Sequence, residues 1–496
     1  MPIVHDWLAR RASLAPERTA LVDSLRDGRR ISWAEWNDSA HRTALLLRDL
    51  GVGVGDRVSV LASNGVETLD LVFACAKLGA VLQPLNWRLG VEELHGLLSD
   101  VAPSVVCFGP EFLAQVDALR PRLPAHWVSL ADPLFCSRET LTGALPSIEL
   151  EADAPWVLCS TGGSTGLPKS AVLTHGSLTA NAVNTVVSWG LTQDDVALLN
   201  APLFHTGGLN VFTLPLVLAG GASVVCRSFD VAQCFDLIHS GSVNLVFGVP
   251  TMFIEMQRHP RFEAVDFSRL KLLISGGAPC PAPVFERFFS RGVPFRTGYG
   301  LTEAGPNNFF LPDAVMRSHP GFVGVPLFHV DARIDGEQRP GDVGELLLRG
   351  PHVCAGYWCR PEETARVFVD GWLHTGDLAS RDAQGLFRIE GRAKELIISG
   401  GENIHPSEVE SILAGHPDVA EVAVIGVPDL KWGEVPRALV VPRPGAAPTL
   451  EALGAFCSGR LARYKLPRTL RLLEALPRTP AGKVDRRALT RLHGEP

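Results

Sequence analysis

The chain has 496 residues, of which 46% are hydrophobic and 20% charged, and its formal net charge is −7. This length is more than one compact core normally holds, so we expect several domains of roughly 150 residues each. The composition is that of an ordinary globular protein, and the negative charge balance argues against a mainly nucleic-acid-binding role.

Predicted helices and strands alternate through the first half of the chain. Apolar residues recur with helical spacing from 33 to 50, followed by a buried strand at 57–61 and a helix at 66–78. Further strands are predicted at 105–108, 156–159, 171–174, 196–200, 223–226, 243–247 and 270–274. This alternation is typical of layered sheets with parallel strands, so the predicted fold class is α/β.

No export signal or membrane span is expected. The first six residues lack both a basic segment and an apolar segment of a secretory signal. The longest apolar run, from 209 to 226, is broken by Pro215 and by Gly220-Gly221, which favours a helix, a turn and a strand. The 10 cysteines include no C-x-x-C pair, so we expect reduced thiols and a cytoplasmic location.

Two smaller units follow. Short strands and Gly/Pro turns from about 330 to 391 predict a β-rich subdomain of the N-terminal part. Residues 394–496 predict a compact α+β domain, with strands at 396–398, 422–425 and 438–441 and a helix that begins at Pro406. We place the domain boundary between 393 and 394, where one glycine and two charges separate strand-like segments.

The segment from Ser160 to Lys169, Ser-Thr-Gly-Gly-Ser-Thr-Gly-Leu-Pro-Lys, has the composition of a phosphate-binding loop. Its glycines let backbone N–H groups approach an anion, its four hydroxyls can donate hydrogen bonds, and its lysine adds a positive charge. Pro168 separates Gly166 from Lys169, so the spacing is not that of a P-loop. If the segment stood alone, a solvated surface turn would be an equal alternative.

Four further segments accompany this loop in chain order. They are Tyr299-Gly300-Leu301-Thr302-Glu303, Trp372-Leu373-His374-Thr375-Gly376-Asp377, Gly391-Arg392-Ala393-Lys394-Glu395 and Pro477-Arg478-Thr479-Pro480-Ala481-Gly482-Lys483. With them the chain resembles the AMP-forming acyl-CoA synthetases of the adenylate-forming superfamily, from residue 31 to residue 483. The resemblance implies a large N-terminal domain of layered α/β sheets, a small mobile α+β C-terminal domain, and ATP, Mg²⁺ and coenzyme A as ligands.

The resemblance also implies the catalytic roles. Lys483 would stabilise the negative charge that develops when a carboxylate attacks the α-phosphate. Glu303, preceded by Thr302, would bind Mg²⁺, and His205 would stand between the acyl pocket and a pantetheine tunnel. Lys394 would be the hinge about which the C-terminal domain turns between two half-reactions.

Asp377 would accept the ribose hydroxyls, and Arg392 would add donors to the ribose or the phosphate. The other candidates for binding nucleotide or coenzyme A are Thr161, Gly163, Ser164, Thr165, Gly166, Lys169, Gly277, Ala278, Pro279, Tyr299, Gly300, Leu301, Ser399, Gly400, Gly401 and Trp432. The acyl-pocket candidates are Phe247, Gly276, Gly305, Pro306 and Asn307. These pocket residues include no cation, which favours an uncharged acyl tail.

Without the family pattern, each position has a plainer interpretation. Glu303 and Lys483 would be solvated charges, Asp377 a turn-stabilising side chain, and His205 and Trp432 buried core residues. The chain also departs from the family at two places: Gly162 stands where serine is usual, and Cys359 replaces a polar residue.

The predicted function is a carboxylic acid:coenzyme A ligase for an aromatic or a medium- to long-chain aliphatic acid. One alternative is an enzyme that loads an acyl-carrier protein, and another is an ATP-binding sensor without turnover. A peptide-synthetase adenylation domain is disfavoured, because the aspartate that holds an amino group is absent after residues 228–231. The expected partners are small molecules, and a homodimer is possible.

Overall fold

The structure is a computed structural model that describes residues 5–161, 169–399, 402–457, 460–479 and 482–495, without the side chain of Asn403. The helices are α1 (Trp7–Leu14), α2 (Trp33–Asp49), α3 (Val66–Leu78), α4 (Val91–Val101), α5 (Leu113–Leu119), α6 (Pro133–Cys136), α7 (His175–Trp189), α8 (Thr206–Gly208), α9 (Leu214–Ala219), α10 (Val231–His239), α11 (Pro250–Arg258), α12 (Ala282–Ser290), α13 (Asp313–Met316), α14 (Pro361–Val367), α15 (Pro406–Leu413), α16 (Leu450–Cys457) and α17 (Arg486–His493). A π-helical segment, Leu209–Thr213, joins α8 to α9.

The strands are β1 (Thr19–Asp23), β2 (Arg29–Ser32), β3 (Arg57–Leu61), β4 (Val81–Pro84), β5 (Val105–Phe108), β6 (His126–Ser129), β7 (Pro155–Thr161), β8 (Lys169–Thr174), β9 (Val196–Leu199), β10 (Ala222–Val225), β11 (Leu245–Gly248), β12 (Leu272–Ser275), β13 (Phe295–Thr297), β14 (Phe309–Phe310), β15 (Phe322–Pro326), β16 (Asp331–Ile334), β17 (Val343–Arg349), β18 (Phe368–Val369), β19 (Trp372–Arg381), β20 (Phe387–Arg392), β21 (Ile397–Ser399), β22 (Glu402–Ile404), β23 (Val419–Asp429), β24 (Gly433–Pro442) and β25 (Thr469–Leu472).

The strands form four sheets. The first sheet has the order β6-β5-β3-β4-β7-β8, and the second has the order β13-β12-β11-β9-β10-β1-β2. Both are parallel except for the edge pairs β7–β8 and β1–β2. The third sheet, β14-β15-β20-β19-β17-β16 with β18, is antiparallel, and β21 to β25 form the fourth. This layered arrangement confirms the predicted α/β class, whereas the exact domain boundary at 393/394 stays a prediction.

Local signals explain why the helices begin and end where they do. Ser32 and Glu35 form a reciprocal capping box at the start of α2, and Thr174 caps α7 immediately after β8. Gly79 ends α3 in the left-handed conformation that a side chain would disfavour. The apolar run at 209–226 forms the π-helical segment, α9 and β10, as predicted. Within the described ranges, no helix is long and apolar enough to cross a membrane.

The second sheet is buried on both faces. A cluster of phenylalanines, including Phe253, Phe288 and Phe295, packs on one face. On the other face, Ala197 and Leu272 belong to a core that includes Leu346 and Phe387 of the third sheet. Since ligands of parallel sheets bind beyond the carboxyl ends of the strands, the segments that follow β11, β12 and β13 are placed to form a site.

Candidate active site

Tyr299, Asp377 and Arg392 form one hydrogen-bonded chain. Asp377 on β19 pairs with Arg392 on β20, and Arg392 Nε lies 2.6 Å from Asp377 Oδ1. Tyr299 Oη donates to Asp377 Oδ2 at 2.6 Å. Burial raises the pKa of Asp377, while Arg392 opposes that rise. Burial and Asp377 together raise the pKa of Tyr299 well above its usual value, so the phenol stays a donor. Each carboxylate oxygen can accept a further bond, as a ribose contact requires.

Lys483 enters this site from the C-terminal part of the chain. Its Cε lies 3.8 Å from the point that a Cβ on Gly277 would occupy. Although the residue as a whole is exposed, its ammonium end is surrounded by charged groups. Burial and then Arg392 lower the pKa of Lys483, and Asp377 and Glu303 act in the opposite direction. The structure therefore brings the predicted lysine to Asp377 and Arg392, although these residues lie more than 90 positions away in sequence.

Glu303 is linked through Tyr357 to Lys169, which follows the predicted phosphate loop. It lies in the 3₁₀ turn Thr302–Ala304, and its Oε1 accepts a hydrogen bond from Tyr357 Oη at 2.7 Å. The Lys169 ammonium lies 3.7 Å from the centroid of the Tyr357 ring and donates to Glu363 at 2.8 Å. Thr161 pairs with Lys169 across β7 and β8, so both ends of the loop are fixed. Gly163, Ser164, Thr165 and Gly166 lie outside the described residues, as does the departure at Gly162.

His205 lies at the edge of the same site. It precedes α8, its ring packs 4.5 Å from that of Phe204, and its Nε2 is buried without a protein hydrogen-bond partner. Burial, with smaller effects from Lys483 and Arg88, lowers the pKa of His205 to about 4. The imidazole is therefore neutral near pH 7 and can donate or accept one hydrogen bond.

Close backbone packing explains the predicted glycines at positions 300 and 305. A side chain at Gly300 would collide with the backbone of Pro306, and Gly305 has φ +68° with its Cβ position 2.8 Å from Asn181 Oδ1. The partly buried Leu301 donates its N–H to Gly305 O, which closes this turn. Gly276 is buried at the end of β12, while Gly277, Ala278 and Pro279 are exposed beyond it.

Some predicted residues lie elsewhere. Asn307 is buried, and its amide donates to Thr185 Oγ1 and to two backbone carbonyls. Ser399 pairs with Glu402 and Gly433 inside the fourth sheet. Trp432 is exposed, with the Lys431 ammonium 4.7 Å from its ring centroid. Lys394 lies in the turn Ala393–Glu395, and Gly400 and Gly401 fall outside the described residues.

Sequence reasoning missed two contributors, Tyr357 and Glu363. The chain has only three tyrosines, and the scarcity that drew attention to Tyr299 applied equally to Tyr357. Nothing local marked Glu363. Cys359 adopts a left-handed conformation with φ +52° in the turn after Tyr357, and nothing in the structure explains a cysteine at this position.

Two consecutive regions of the chain match known enzyme families. A model described as AMP-binding enzyme matches residues 8–358, and one described as AMP-binding enzyme C-terminal domain matches residues 408–483. The chain belongs to the AMP-binding enzyme family. Both matched regions contribute to the site, through Glu303 and Tyr357 in the first and Lys483 in the second.

Individual relatives cover almost the whole chain. A feruloyl-CoA synthase of Amycolatopsis sp is 42% identical, with 98% of each chain covered. An indoleacetate–CoA ligase of Aromatoleum aromaticum is 39% identical, over 97% of this chain and 96% of its own. ATP-bound MatB from Rhodopseudomonas palustris superposes with a TM-score of 0.92 at 32% identity and 99% coverage of both chains, against 0.81 for apo MatB. This family member is therefore an AMP-forming acyl-CoA synthetase that uses ATP, Mg²⁺ and coenzyme A.

The carboxylate of Glu303 is the kind of oxygen ligand that Mg²⁺ takes. No group of three or more metal-ligating side chains occurs among the residues that the structure describes. Mg²⁺ in phosphoryl-transfer sites typically takes one or two carboxylates together with phosphate oxygens and waters, so a single oriented carboxylate such as Glu303 is sufficient. Mg²⁺, when bound there, would neutralise charge on the phosphate oxygens.

Proposed function

We propose that the protein is a ligase that joins an aromatic carboxylic acid to coenzyme A, and that the acyl part of this acid carries no charge. The observation that carries the proposal is the position of Lys483 beside Gly277, Asp377 and Arg392. The aromatic class is supported by the feruloyl-CoA synthase and the indoleacetate–CoA ligase named above. It is also supported by the apolar, glycine-rich surroundings of Phe247.

In the first half-reaction, an acid oxygen attacks the α-phosphorus, the bond to the β-phosphate breaks, and pyrophosphate leaves. The nucleophile is already anionic, so no general base is needed. Asp377 and Tyr299 orient the ribose, and the Lys483 ammonium stabilises the charge on the transferring phosphoryl group. The lowered pKa of Lys483 means that this stabilisation weakens as pH rises toward that pKa.

In the second half-reaction, the thiol sulfur attacks the acyl carbon, the bond to AMP breaks, and the thiol proton passes to solvent. We propose that the C-terminal domain turns about Lys394 before this step. The turn would withdraw Lys483 and present the segment around Ser399 and Trp432 to the acceptor. The higher TM-score to ATP-bound than to apo MatB supports assigning the present arrangement to the first half-reaction.

Pyrophosphate release from Mg-ATP, followed with aromatic, short, medium and long-chain acids, tests the proposal. Each reaction is run with and without coenzyme A, and the products are identified by mass. We expect an aromatic acyl-CoA as the main product. Acyl-AMP that accumulates without thioester would identify a carrier protein as acceptor, while ATP binding without any turnover would support the sensor alternative.

Lys483→Ala provides the test of the assigned lysine, and the exposed Lys431→Ala in the same part of the chain provides its control. Removing one electrostatic stabiliser should lower acyl-AMP formation by about 10²- to 10³-fold. The Lys431 variant should keep the wild-type rate of acyl-AMP formation. Equal rates in both variants would contradict the role of Lys483.

A further inference from the structure

The ring of Phe247 lies edge-on between two glycines. Phe247 stands at the carboxyl end of β11, paired with Ile274 of β12. A Cβ on Gly207 would lie 2.9 Å from Phe247 Cε1, and a Cβ on Gly276 would lie 3.0 Å from Phe247 Cε2. Both distances are shorter than ordinary van der Waals contact, so any side chain at either position would force the ring to move.

The ring separates the reaction centre from a small cavity. On one side, Gly276 leads directly to Gly277, against which the Lys483 side chain packs. On the other side lies a cavity between β9 and the helical segment that follows His205. Its lining consists of Ala197, Leu198, Leu199, Ala201, Gly207, Gly208, Phe212, Thr213 and Phe247. No charged residue belongs to this mainly apolar lining, so the cavity favours uncharged, apolar groups.

The contacts of Phe247 differ from those of a core phenylalanine. Its strand neighbours Val246 and Gly248 are buried, whereas Phe247 is only partly buried. Its inner side packs against the core of Ala197, Phe212 and Ile274, and the rest of the ring is left for a ligand to contact. A side chain that packs partly against the core and partly faces the site can limit the size of the acyl group that the site accepts.

From these contacts we infer that Phe247 is the size-determining residue for the acyl group. The ring ends the acyl pocket, and the cavity behind it is an extension that the wild-type residue closes. This inference rests on the proposed function, since it assumes that the acyl group of the substrate reaches Gly276. It assigns the wild-type protein to compact acids and predicts that shortening residue 247 admits longer ones.

The test is a competition between two acids that differ only in chain length, 3-phenylpropanoate and 6-phenylhexanoate. Wild type, Phe247→Leu and Phe247→Ala each receive an equal mixture, and the two thioesters are quantified by mass. The product ratio does not depend on how much of the enzyme is folded. Because added methylenes in an apolar pocket change specificity by about 10- to 200-fold, we expect Phe247→Ala to shift the ratio at least tenfold toward the longer acid. Phe247→Leu should shift it in the same direction by less.

Val246→Ala is the matched control, because the neighbouring side chain on β11 points to the opposite face of the sheet, into the phenylalanine cluster. It should leave the product ratio at the wild-type value. A ratio unchanged in both Phe247 variants would overturn the inference, as would an equal shift in the Val246 variant.

Measurements of acid binding distinguish a failure of this inference from a failure of the proposed function. The affinities of the same two acids are measured by calorimetry in the presence of a non-hydrolysable ATP analogue. A relative gain of at least tenfold for the longer acid in Phe247→Ala supports the inference even if no thioester forms. Absence of thioester in the wild type would contradict the proposed function alone.

Discussion

At the scale of single residues, Tyr357 fixes the carboxylate that we assign to Mg²⁺. Its hydroxyl donates to Glu303 Oε1, and its ring lies beneath the Lys169 ammonium. Tyr357→Phe would keep the ring and remove only the donor. We expect the Mg²⁺ concentration for half-maximal acyl-AMP formation to rise about tenfold, because orienting partners of metal ligands typically contribute that much. A titration of the initial rate with Mg²⁺ measures the effect.

Tyr464→Phe provides the comparison for this substitution, since Tyr464 is exposed and lies in the short turn Arg463–Lys465. It should not change the Mg²⁺ requirement. If Tyr357→Phe lowered the maximal rate but left the Mg²⁺ requirement unchanged, Tyr357 would act on Lys169 and the phosphate loop instead of on Glu303.

A second residue, His175, makes the stability depend on pH. Its ring stacks on Trp156 at 4.7 Å, and both ring nitrogens are buried without protein hydrogen-bond partners. Burial lowers the pKa of His175 to about 4, from an unfolded value near 6.5. Unfolding therefore takes up a proton between these values, and stability falls as pH decreases, by about 1.4 kcal/mol per pH unit.

His175→Phe keeps a stacked ring that cannot take up a proton. Relative to wild type, this variant should gain about 2 kcal/mol of unfolding free energy between pH 7 and pH 5. Urea unfolding at each pH measures the difference. His126→Phe, at an exposed position, should leave the pH dependence unaltered. A difference between His175→Phe and wild type that does not vary with pH would contradict the assignment.

At the scale of elements, the loop after β13 depends on one close backbone approach. Gly300 lies against Pro306, and a Cβ there would overlap the Pro306 carbonyl. Gly300→Ala should therefore displace the Tyr299–Glu303 segment, cost about 1–3 kcal/mol of stability, and raise the KM for ATP. Thermal unfolding and initial rates measure the two effects.

Gly454→Ala is the matched glycine substitution, because the Gly454 Cβ position has open space in the middle of α16. Alanine favours helices over glycine by about 1 kcal/mol, so this variant should be as stable as wild type or more stable. It should leave the KM for ATP unchanged. A Gly300 variant that kept wild-type stability and ATP affinity would show that the close approach is not required.

Many helices and strands could be predicted from the sequence, because the spacing of apolar residues and the turn residues at each end are local features. The predicted strand at 57–61 and helix at 66–78 have the bounds that the structure gives, since both are buried runs ended by turn residues. The strand predicted at 270–274 begins instead at Leu272. The backbone N–H groups of Lys271 and Leu272 both donate to Asn244 O. Pairing with the segment that leads into β11 therefore sets where β12 begins.

Contacts between distant segments could not be predicted from patterns. The pairing of Asp377 with Arg392 follows from the register of β19 and β20, which a bulge between Leu378 and Ala379 shifts. The contact of Tyr357 with Glu303 joins residues more than 50 positions apart. The motifs supplied the candidate residues, whereas the partners of these residues depended on how the third sheet packs against the second.

At the scale of the whole molecule, the C-terminal part is held so that Lys483 lies near Gly277, Asp377 and Arg392. Arg486 bridges Glu395, next to the proposed hinge, and Glu410 on α15. Arg258 of α11 donates to Ala420 O of the fourth sheet at 3.4 Å, a contact across the two parts. Under the rotation that we propose about Lys394, this arrangement would serve acyl-AMP formation, and a turned arrangement would serve the acceptor.

Lys394→Pro tests this requirement. Proline fixes φ near −65° and removes a backbone N–H, so it restricts rotation at the proposed hinge without touching Lys483 or Glu303. We expect acyl-AMP formation to stay within about twofold of wild type and thioester formation from acyl-AMP to fall at least tenfold. Single-turnover measurements with pre-formed acyl-AMP isolate the second step. Lys394→Ala keeps backbone freedom and should retain both rates. Equal loss of both half-reactions in the proline variant would mean that the substitution disturbs the site itself, and the rotation about Lys394 would then have to be abandoned.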